Sequence, residues 1–316
     1  MKYNRIMSTL LKAKLILFFI VAMFSCSILH KHNTIDSSSP LKVSDSSLIW
    51  QAIDNLDTAQ LPYVTIFVNI HFVDSKTGNF YPGTKDDTLY YNGIFWTRLL
   101  INHANWVLRD LKFSPSSPRS YVGDSHIRYQ LYSEPNEGRD SFGGIWFWKS
   151  YRDIKRVYDQ KVMHVVFYDI DKEKDFQCRG YACGMHYCNE VVMMDAHDNA
   201  RNHGPWGWWA FAGLMNHEVF HTFGLCHSFY CDNECKGIDI DPNKECHSNP
   251  CFNDCGGPHG GTCNNWDSGS QNIMGYNAEG NSITPCQWQH LYRNIYLSKA
   301  LHLKIEHLRI QNKINN

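Results

Sequence analysis

Residues 216 to 229 form the stretch "NHEVFHTFGLCHSF", which holds three histidines, a glutamate and a glycine at fixed offsets. On an α-helix, residues four apart lie on the same face, so His217 and His221 can present their imidazoles to one metal ion. Glu218 lies about 100° round the helix from His217, beside such an ion and not on it. The stretch predicts a helix with two metal ligands and an adjacent carboxylate.

The third histidine requires the chain to turn. In a continuous helix His227 would lie about 15 Å along the axis from His217, far beyond a zinc–nitrogen distance of about 2.1 Å. Gly224 can make the turn because glycine takes positive φ at almost no steric cost. Three neutral imidazoles leave one position of zinc open, and a water bound there would have its pKa lowered to about 7. We therefore predict one catalytic Zn²⁺ on His217, His221 and His227, with Glu218 as the general base that activates the zinc-bound water.

A second signal is "NIMGYN" at residues 272 to 277. The extended zinc motif followed by a methionine turn is the metzincin signature. Within the metzincins the chain most resembles the pappalysin or cytophagalysin-like peptidases, over roughly residues 160 to 300. Further points of likeness are "GYACGMHYCNEVVMMDAH" before the zinc helix, a tyrosine two residues after the turn methionine, and "TPCQWQHLYRN" near the C-terminus.

The resemblance implies zinc endopeptidase activity on protein or peptide substrates. It implies that Met274 forms an apolar floor under the metal and that Tyr276 is a loose ligand or stabilises the oxyanion. Without the zinc motif upstream, both would be interpreted as ordinary core residues. The family's short edge strand, here near Val191 to Met194, would pair with an extended substrate.

Apolar periodicity predicts the elements of the fold. Strands are expected at residues 63–72, 126–132, 162–170 and 190–195, and helices at 93–111, 208–224 and 285–303, with a loop region rich in Cys and Gly from 226 to 270. The fold class is α/β (α+β). We expect a metzincin-like zinc peptidase domain with a mixed, mostly parallel sheet, an active-site helix and a disulfide-rich, loop-dominated C-terminal subdomain.

The N-terminus predicts export. Residues 1–26 have a basic start, the apolar run "LILFFIVAMF" and then "MFSC", which resembles a bacterial lipobox that ends in Cys26. The apolar run is too short to span a membrane as a mature helix. We expect a lipidated Cys26 and a cell-surface or outer-membrane lipoprotein that contacts the membrane through its lipid, or else a secreted protein after plain signal cleavage. Residues 27–58 then form a flexible tether or short pro-segment, and 59–316 the catalytic domain.

The cysteines cluster late in the chain. Twelve cysteines are present, and those other than Cys26 lie between Cys178 and Cys286. In an exported protein they favour disulfides, although the close pairs Cys231/Cys235 and Cys251/Cys255 could instead hold a structural zinc.

Other patterns leave alternatives open. "DIDPNKE" at 239–245 could bind Ca²⁺ or be a solvated acidic loop. The aromatic stretches 145–151 and 206–211 favour core packing, with a carbohydrate or substrate platform as the alternative. A net charge of −1 with no basic patch excludes nucleic acid as a partner.

Three functions compete. The first is an exported zinc endopeptidase, the second a catalytically inactive, zinc-stabilised surface binding module or adhesin, and the third a hydrolase of another bond, such as a deacylase. Glu218 favours an enzyme, because a purely structural zinc site closes with four protein ligands and needs no base.

Overall fold

The computed structural model describes residues 43–75, 78–83, 92–112, 122–133, 142–154, 162–168, 179–182, 189–194, 196–197, 207–228, 235, 272–275, 280–297 and 303–306. Residues 44 to 316 form one compact unit that contains the elements below. Among the described residues, no helix combines the length and the apolar character that crossing a membrane requires.

One mixed sheet forms the centre of this unit. Its described strands are β1 (Tyr63–Val73), β2 (Ile127–Leu131), β3 (Ile145–Trp148), β4 (Met163–Tyr168), β5 (Arg179–Ala182), β6 (Glu190–Met194) and β7 (Leu303–Glu306). The order is β2-β1-β4-β6-β5, and β3 and β7 also pair with β1. The β1–β2, β1–β3, β1–β4 and β4–β6 pairings are parallel, whereas β5–β6 and β1–β7 are antiparallel. The prediction of a mixed, mostly parallel sheet is confirmed.

The long first strand organises the sheet. Val64 pairs with both Ile127 of β2 and Ile305 of β7, so these two strands lie on opposite sides of β1. Farther along, Ile70 pairs with Ile145 of β3 and, on the other side, with a residue of β4. The sequence "YVTIFVNIHFV" suits this position because β-branched and aromatic residues fit a strand that is buried on both faces.

Five described helices accompany the sheet. They are α1 (Val43–Asp54), α2 (Gly93–Arg109), the single turn α3 (Tyr151–Ile154), α4 (Gly207–Thr222) and α5 (Pro285–Leu297), with a 3-10 turn at Thr58–Gln60. Asn92 caps α2, because its side-chain oxygen accepts hydrogen bonds from the backbone nitrogens of Ile94 and Phe95, at 2.9 and 3.2 Å. Buried residues of α2 and α4 join those of β1 in one core. The α4 helix also contacts β5 and β6, which brings it close to one edge of the sheet.

The two tryptophans of β3 lie on the opposite face of the sheet, whereas Ile145 and Phe147 of the same strand belong to the core on the side of α2 and α4. Trp148 Nε1 donates a hydrogen bond to Nδ1 of His71, at 3.1 Å, and Nε2 of His71 lies 2.9 Å from Nδ1 of His164. Because Nδ1 of His71 accepts, the proton of the neutral ring lies on Nε2. Trp146 and Trp148 stack with ring centroids 5.7 Å apart. These contacts agree with packing as the first explanation of this aromatic stretch.

The segment expected to be a flexible tether is helical in its second half. In α1, Ala52 and Ile53 are 5% and 0% exposed and belong to the core. Gln289 of α5 donates to the carbonyl oxygens of Ile53 and Asp54, at 3.0 and 3.1 Å, and Arg293 pairs with Asp54. A flexible tether over residues 43–54 is therefore wrong, since contacts with α5 order a sequence whose Ser and Asp content favours solvent. The pro-segment alternative stays a prediction.

Three further differences concern the strands. Val191 to Met194 is not an edge, because β6 lies between β4 and β5. Strand β5 has four residues, too few for an alternating pattern to show in the sequence. The last helix ends at Leu297 and not at residue 303, and the chain then forms β7, which pairs with β1. The short strands β3, β5 and β7 are ordered by their neighbours in the sheet.

One disulfide joins Cys235 to Cys286, across 51 residues, and Cys226 is disulfide-bonded as well. Cys235 therefore cannot be a zinc thiolate, which removes the Cys231/Cys235 zinc alternative. The other late cysteines, the acidic segment 239–245, Cys26 and most of the expected C-terminal subdomain lie outside the described residues.

Candidate metal centre

Helix α4 and the turn that follows it bring three imidazoles together. His217 and His221 lie one turn apart on α4, with their Nε2 atoms 3.0 Å apart. Nε2 of His227 lies 3.2 Å from each of the other two. The structure thus places the three predicted ligands at one point, and this cluster could bind a metal ion.

Gly224 ends α4 and reverses the direction of the chain. The helix ends in a Schellman motif, in which the backbone N–H of Leu225 donates to the carbonyl of Phe220, at 3.2 Å, and the N–H of Gly224 to that of His221, at 2.9 Å. This motif requires a left-handed residue, and Gly224 has φ of +90°. A side chain at this φ would be strained, so glycine permits the sharp reversal that brings His227 back.

Two backbone carbonyls fix the proton positions of the rings. Nδ1 of His217 donates to the carbonyl of Ile273, at 2.7 Å, and Nδ1 of His221 to that of Leu225, at 2.6 Å. A carbonyl can only accept, so Nδ1 carries the proton and Nε2 of each neutral ring keeps its lone pair. The Nε2 lone pairs of these two rings therefore face each other at about hydrogen-bond distance with no proton between them. A cation bound among the imidazoles would stabilise this arrangement.

Burial keeps the rings neutral. Burial lowers the pKa of His217 to about 4, against the opposing effect of its hydrogen bond with Ile273. Burial and then the neighbouring His217 lower the pKa of His221 to about 3, and the pKa of His227 is well below its usual value for similar reasons. At neutral pH the three rings are unprotonated, the state in which imidazole ligates a metal. The nitrogen donor set fits zinc.

Glu218 lies beside the cluster on the same turn of α4 and is 6% exposed. Burial raises the pKa of its carboxyl to about 8, opposed by a hydrogen bond from the backbone of Ala182. Ala182 is the last residue of β5, so the sheet edge lies directly next to this carboxyl. A carboxyl in this position can exchange a proton with a group bound at the imidazole cluster.

The residues around Met274 form a tight turn against the site. Met274 is fully buried in the core, and its carbonyl accepts a hydrogen bond from the backbone N–H of Ser228, the residue after His227, at 3.0 Å. Asn272 Oδ1 accepts from the backbone N–H of Met274, at 2.8 Å. Tyr276 lies outside the described residues.

Two residues outside the predicted site orient the residues around the imidazole cluster. Asn272 and Gln287 are buried, at 1% and 3% exposure, and are hydrogen-bonded to each other. The stretch "TPCQ" at 284–287 carries the spacing of a capping box, and an asparagine two residues before Met274 suits an Asx-turn. Those two local signals could have pointed to both residues.

No family model and no curated protein matches the chain. Among solved structures, mature mirolysin of Tannerella forsythia in complex with a cleaved peptide is 16% identical, with 72% of this chain and 89% of that chain covered, at a TM-score of 0.41. A promirolysin mutant of the same organism is also 16% identical, with 87% and 92% covered, at 0.42. At this identity and TM-score the likeness assigns no function to the chain.

Proposed function

We propose that the chain is an exported zinc-dependent endopeptidase of the metzincin type. The observation that carries this proposal is the convergence of three neutral imidazole nitrogens within 3.2 Å, with the buried carboxyl of Glu218 on the same helical turn. This arrangement supports an open catalytic site, because three protein ligands leave a position for water or substrate.

Zinc held by His217, His221 and His227 would lower the pKa of a coordinated water to about 7 and polarise the substrate carbonyl. Glu218 would accept the proton that the water loses as its oxygen attacks the peptide carbon. The same carboxyl would give a proton to the amide nitrogen when the carbon–nitrogen bond breaks. The burial of Glu218 beside the three imidazoles, where its carboxyl can reach a group bound at the cluster, supports both roles.

The sheet edge next to Glu218 supports a peptide as the substrate. Among the described strands, β5 pairs with β6 alone, and its last residue, Ala182, bonds to Glu218. A peptide that extended the sheet along β5 would therefore pass beside Glu218, by the strand addition that many peptide-binding proteins use. This moves the proposed substrate strand from Val191–Met194 to residues 179–182, and favours a peptidase over a deacylase.

Two variants separate the general base from the ligands. Glu218→Ala should keep about one zinc per protein and lose peptide hydrolysis, since no ligand is removed. His221→Ala should lose zinc as well as activity. Metal analysis beside a fluorogenic peptide assay measures both. Full hydrolysis by Glu218→Ala would refute the catalytic role, and a wild type that binds zinc but cleaves nothing would favour the surface binding module.

Tyr276 is proposed to support the oxyanion or to act as a loose ligand, by resemblance. Tyr276→Phe should keep zinc and lower turnover about 10-fold to 10³-fold if the hydroxyl stabilises the oxyanion. Met274 is proposed as the apolar floor under the metal, for which its full burial in the turn is the support.

Export with a lipidated Cys26 also remains a proposal, as does Ca²⁺ at residues 239–245. Intact-mass analysis of the native mature protein should show an acylated N-terminal cysteine. An unmodified species that starts elsewhere would contradict lipidation and favour secretion.

A further inference from the structure

Helix α5 begins with a capping box that fixes the side chain of Gln287. The backbone N–H of Gln287 donates to Oγ1 of Thr284, at 3.2 Å, and the backbone N–H of Thr284 donates to Oε1 of Gln287, at 3.0 Å. Pro285 occupies the first helical position, where its fixed φ suits the helix. Thr284 and Gln287 are both almost fully buried. The side-chain oxygen of Gln287 is therefore held at one place.

The same oxygen also holds Asn272. Nδ2 of Asn272 donates to Oε1 of Gln287, at 2.8 Å, and Oδ1 of Asn272 accepts from the backbone N–H of Met274, at 2.8 Å. The backbone nitrogens of Thr284 and Met274 can only donate, so each must face an amide oxygen. These two donors fix the orientation of both side-chain amides, and the Asn272–Gln287 bond follows from them.

The backbone and side chain of Asn272 stabilise the tight turn at residues 272–275. The backbone N–H of Gly275 donates to the carbonyl of Asn272, at 2.9 Å, and a Cβ on Gly275 would lie 3.1 Å from that oxygen. Within this turn the carbonyl of Ile273 accepts from Nδ1 of His217, at 2.7 Å. The carbonyl of Met274 accepts from the N–H of Ser228, directly after the third histidine. The turn thus contacts both segments that supply imidazoles, α4 through His217 and the segment of His227 through Ser228.

We propose that Asn272 and Gln287 are positioning residues for the metal centre, which act through the Ile273 carbonyl on His217 and through the Met274 carbonyl on the segment of His227. The inference rests on the zinc site of the proposed function. Partners of this kind set the tautomer and the orientation of a ligating histidine, and their loss typically weakens metal affinity 10-fold to 100-fold.

Three variants test the role against a general loss of stability. Gln287→Met keeps the approximate side-chain length but removes the oxygen that accepts from Asn272 and Thr284. Gln287→Glu keeps an acceptor oxygen for both donors and serves as the rescue variant. Thr284→Ala is the matched control, because it weakens the cap of α5 and leaves the Asn272–Gln287 bond in place.

Zinc affinity is measured by competition with a chromophoric chelator, at a temperature where circular dichroism shows every variant to be folded. Gln287→Met should bind zinc about 10-fold to 100-fold more weakly, and Gln287→Glu within about threefold of wild type. Thr284→Ala should lower the midpoint of thermal unfolding by about 2 to 4 °C and leave zinc affinity unchanged. Adding Asn272→Ala to Gln287→Met should weaken zinc binding by less than the sum of the two single losses, because the two residues share one chain of contacts.

Wild-type zinc affinity in folded Gln287→Met would overturn the positioning role, as would an equal loss of affinity in Thr284→Ala. The absorption spectrum of the cobalt-substituted protein gives a second readout, which should change in Gln287→Met and not in Thr284→Ala. These measurements do not depend on peptide cleavage. A wild type that binds zinc but cleaves no peptide would refute the proposed peptidase while the positioning role stands, and a wild type that binds no zinc would refute both.

Discussion

The disulfide between Cys235 and Cys286 ties the segment after the metal site to the first turn of α5, and its removal should lower stability. Both cysteines are 2% exposed and lie 51 residues apart. In the chain-entropy model, a crosslink that closes a loop of this length stabilises the folded state by about 4 kcal/mol, because it restricts the unfolded chain. A loss of that size is a large part of the 5–15 kcal/mol that is typical of folded proteins.

The perturbation is the double variant Cys235→Ser with Cys286→Ser, compared with each single variant. Urea unfolding followed by tryptophan fluorescence gives the free energy of unfolding, and thermal unfolding should shift down by about 10 °C. The m-value should rise, since the unfolded chain becomes more expanded. Each single variant should lose about as much as the double one, because either change breaks the same bond. Zinc content should stay at the wild-type level at low temperature, because no cysteine belongs to the predicted ligand set.

A loss of less than about 1 kcal/mol in the double variant would refute the argument, because the chain-entropy term could not then be acting on a loop of this length. Losses that add across the two single variants would also refute it. That result would show that the two sulfurs contribute by packing separately.

Three further predictions concern stability and the turn. Ile53→Ala should lower the free energy of unfolding by about 2 to 5 kcal/mol, whereas Leu48→Ala, at a position 54% exposed on the same helix, should change it by less than about 0.5 kcal/mol. Equal effects of the two variants in chemical denaturation would contradict the packing of α1. Gly224→Ala should lower the free energy of unfolding by about 1 to 3 kcal/mol because of the φ of +90°, and should weaken zinc binding by displacing His227. Unchanged zinc affinity in a chelator competition would contradict the role of Gly224 in positioning His227. Burial and then the neighbouring His164 hold the pKa of His71 well below 6.5. As pH falls below 6.5, the unfolded state therefore gains a proton that the folded state does not, and the free energy of unfolding should fall by up to about 1.4 kcal/mol per pH unit from this group. A His71→Leu variant whose unfolding free energy has the same pH slope as that of wild type would contradict this.

The imidazole cluster and its neighbouring carboxyl are local features, and for that reason they could be predicted from the sequence. Helical spacing alone places His217 and His221 on one face with Glu218 beside them, and the distance to His227 demands a turn that Gly224 can make. The buried strands β1 and β4 were also predictable, since the alternating apolar residues of β1 and the near-continuous apolar run of β4 depend little on what surrounds them.

Elements whose order depends on distant partners could not be predicted. The helix α1 has an unremarkable sequence and is ordered by contacts with α5, far along the chain. Strand β5 is short, and among the described strands it pairs with β6 alone, which places it at the end of the strand order next to Glu218. The sequence of a four-residue strand does not indicate which position in a sheet that strand will occupy.

The surroundings of the imidazoles were likewise decided by tertiary structure. The protonated nitrogen of His217 is set by the carbonyl of Ile273, 56 residues away, and that carbonyl is aimed by Asn272 and Gln287. The sequence by itself therefore determined which imidazoles form the cluster and which carboxyl lies beside it, because local backbone geometry sets their spacing. Only the fold decided how those groups are oriented, buried and kept neutral, because these properties arise from contacts between segments that are remote in the chain.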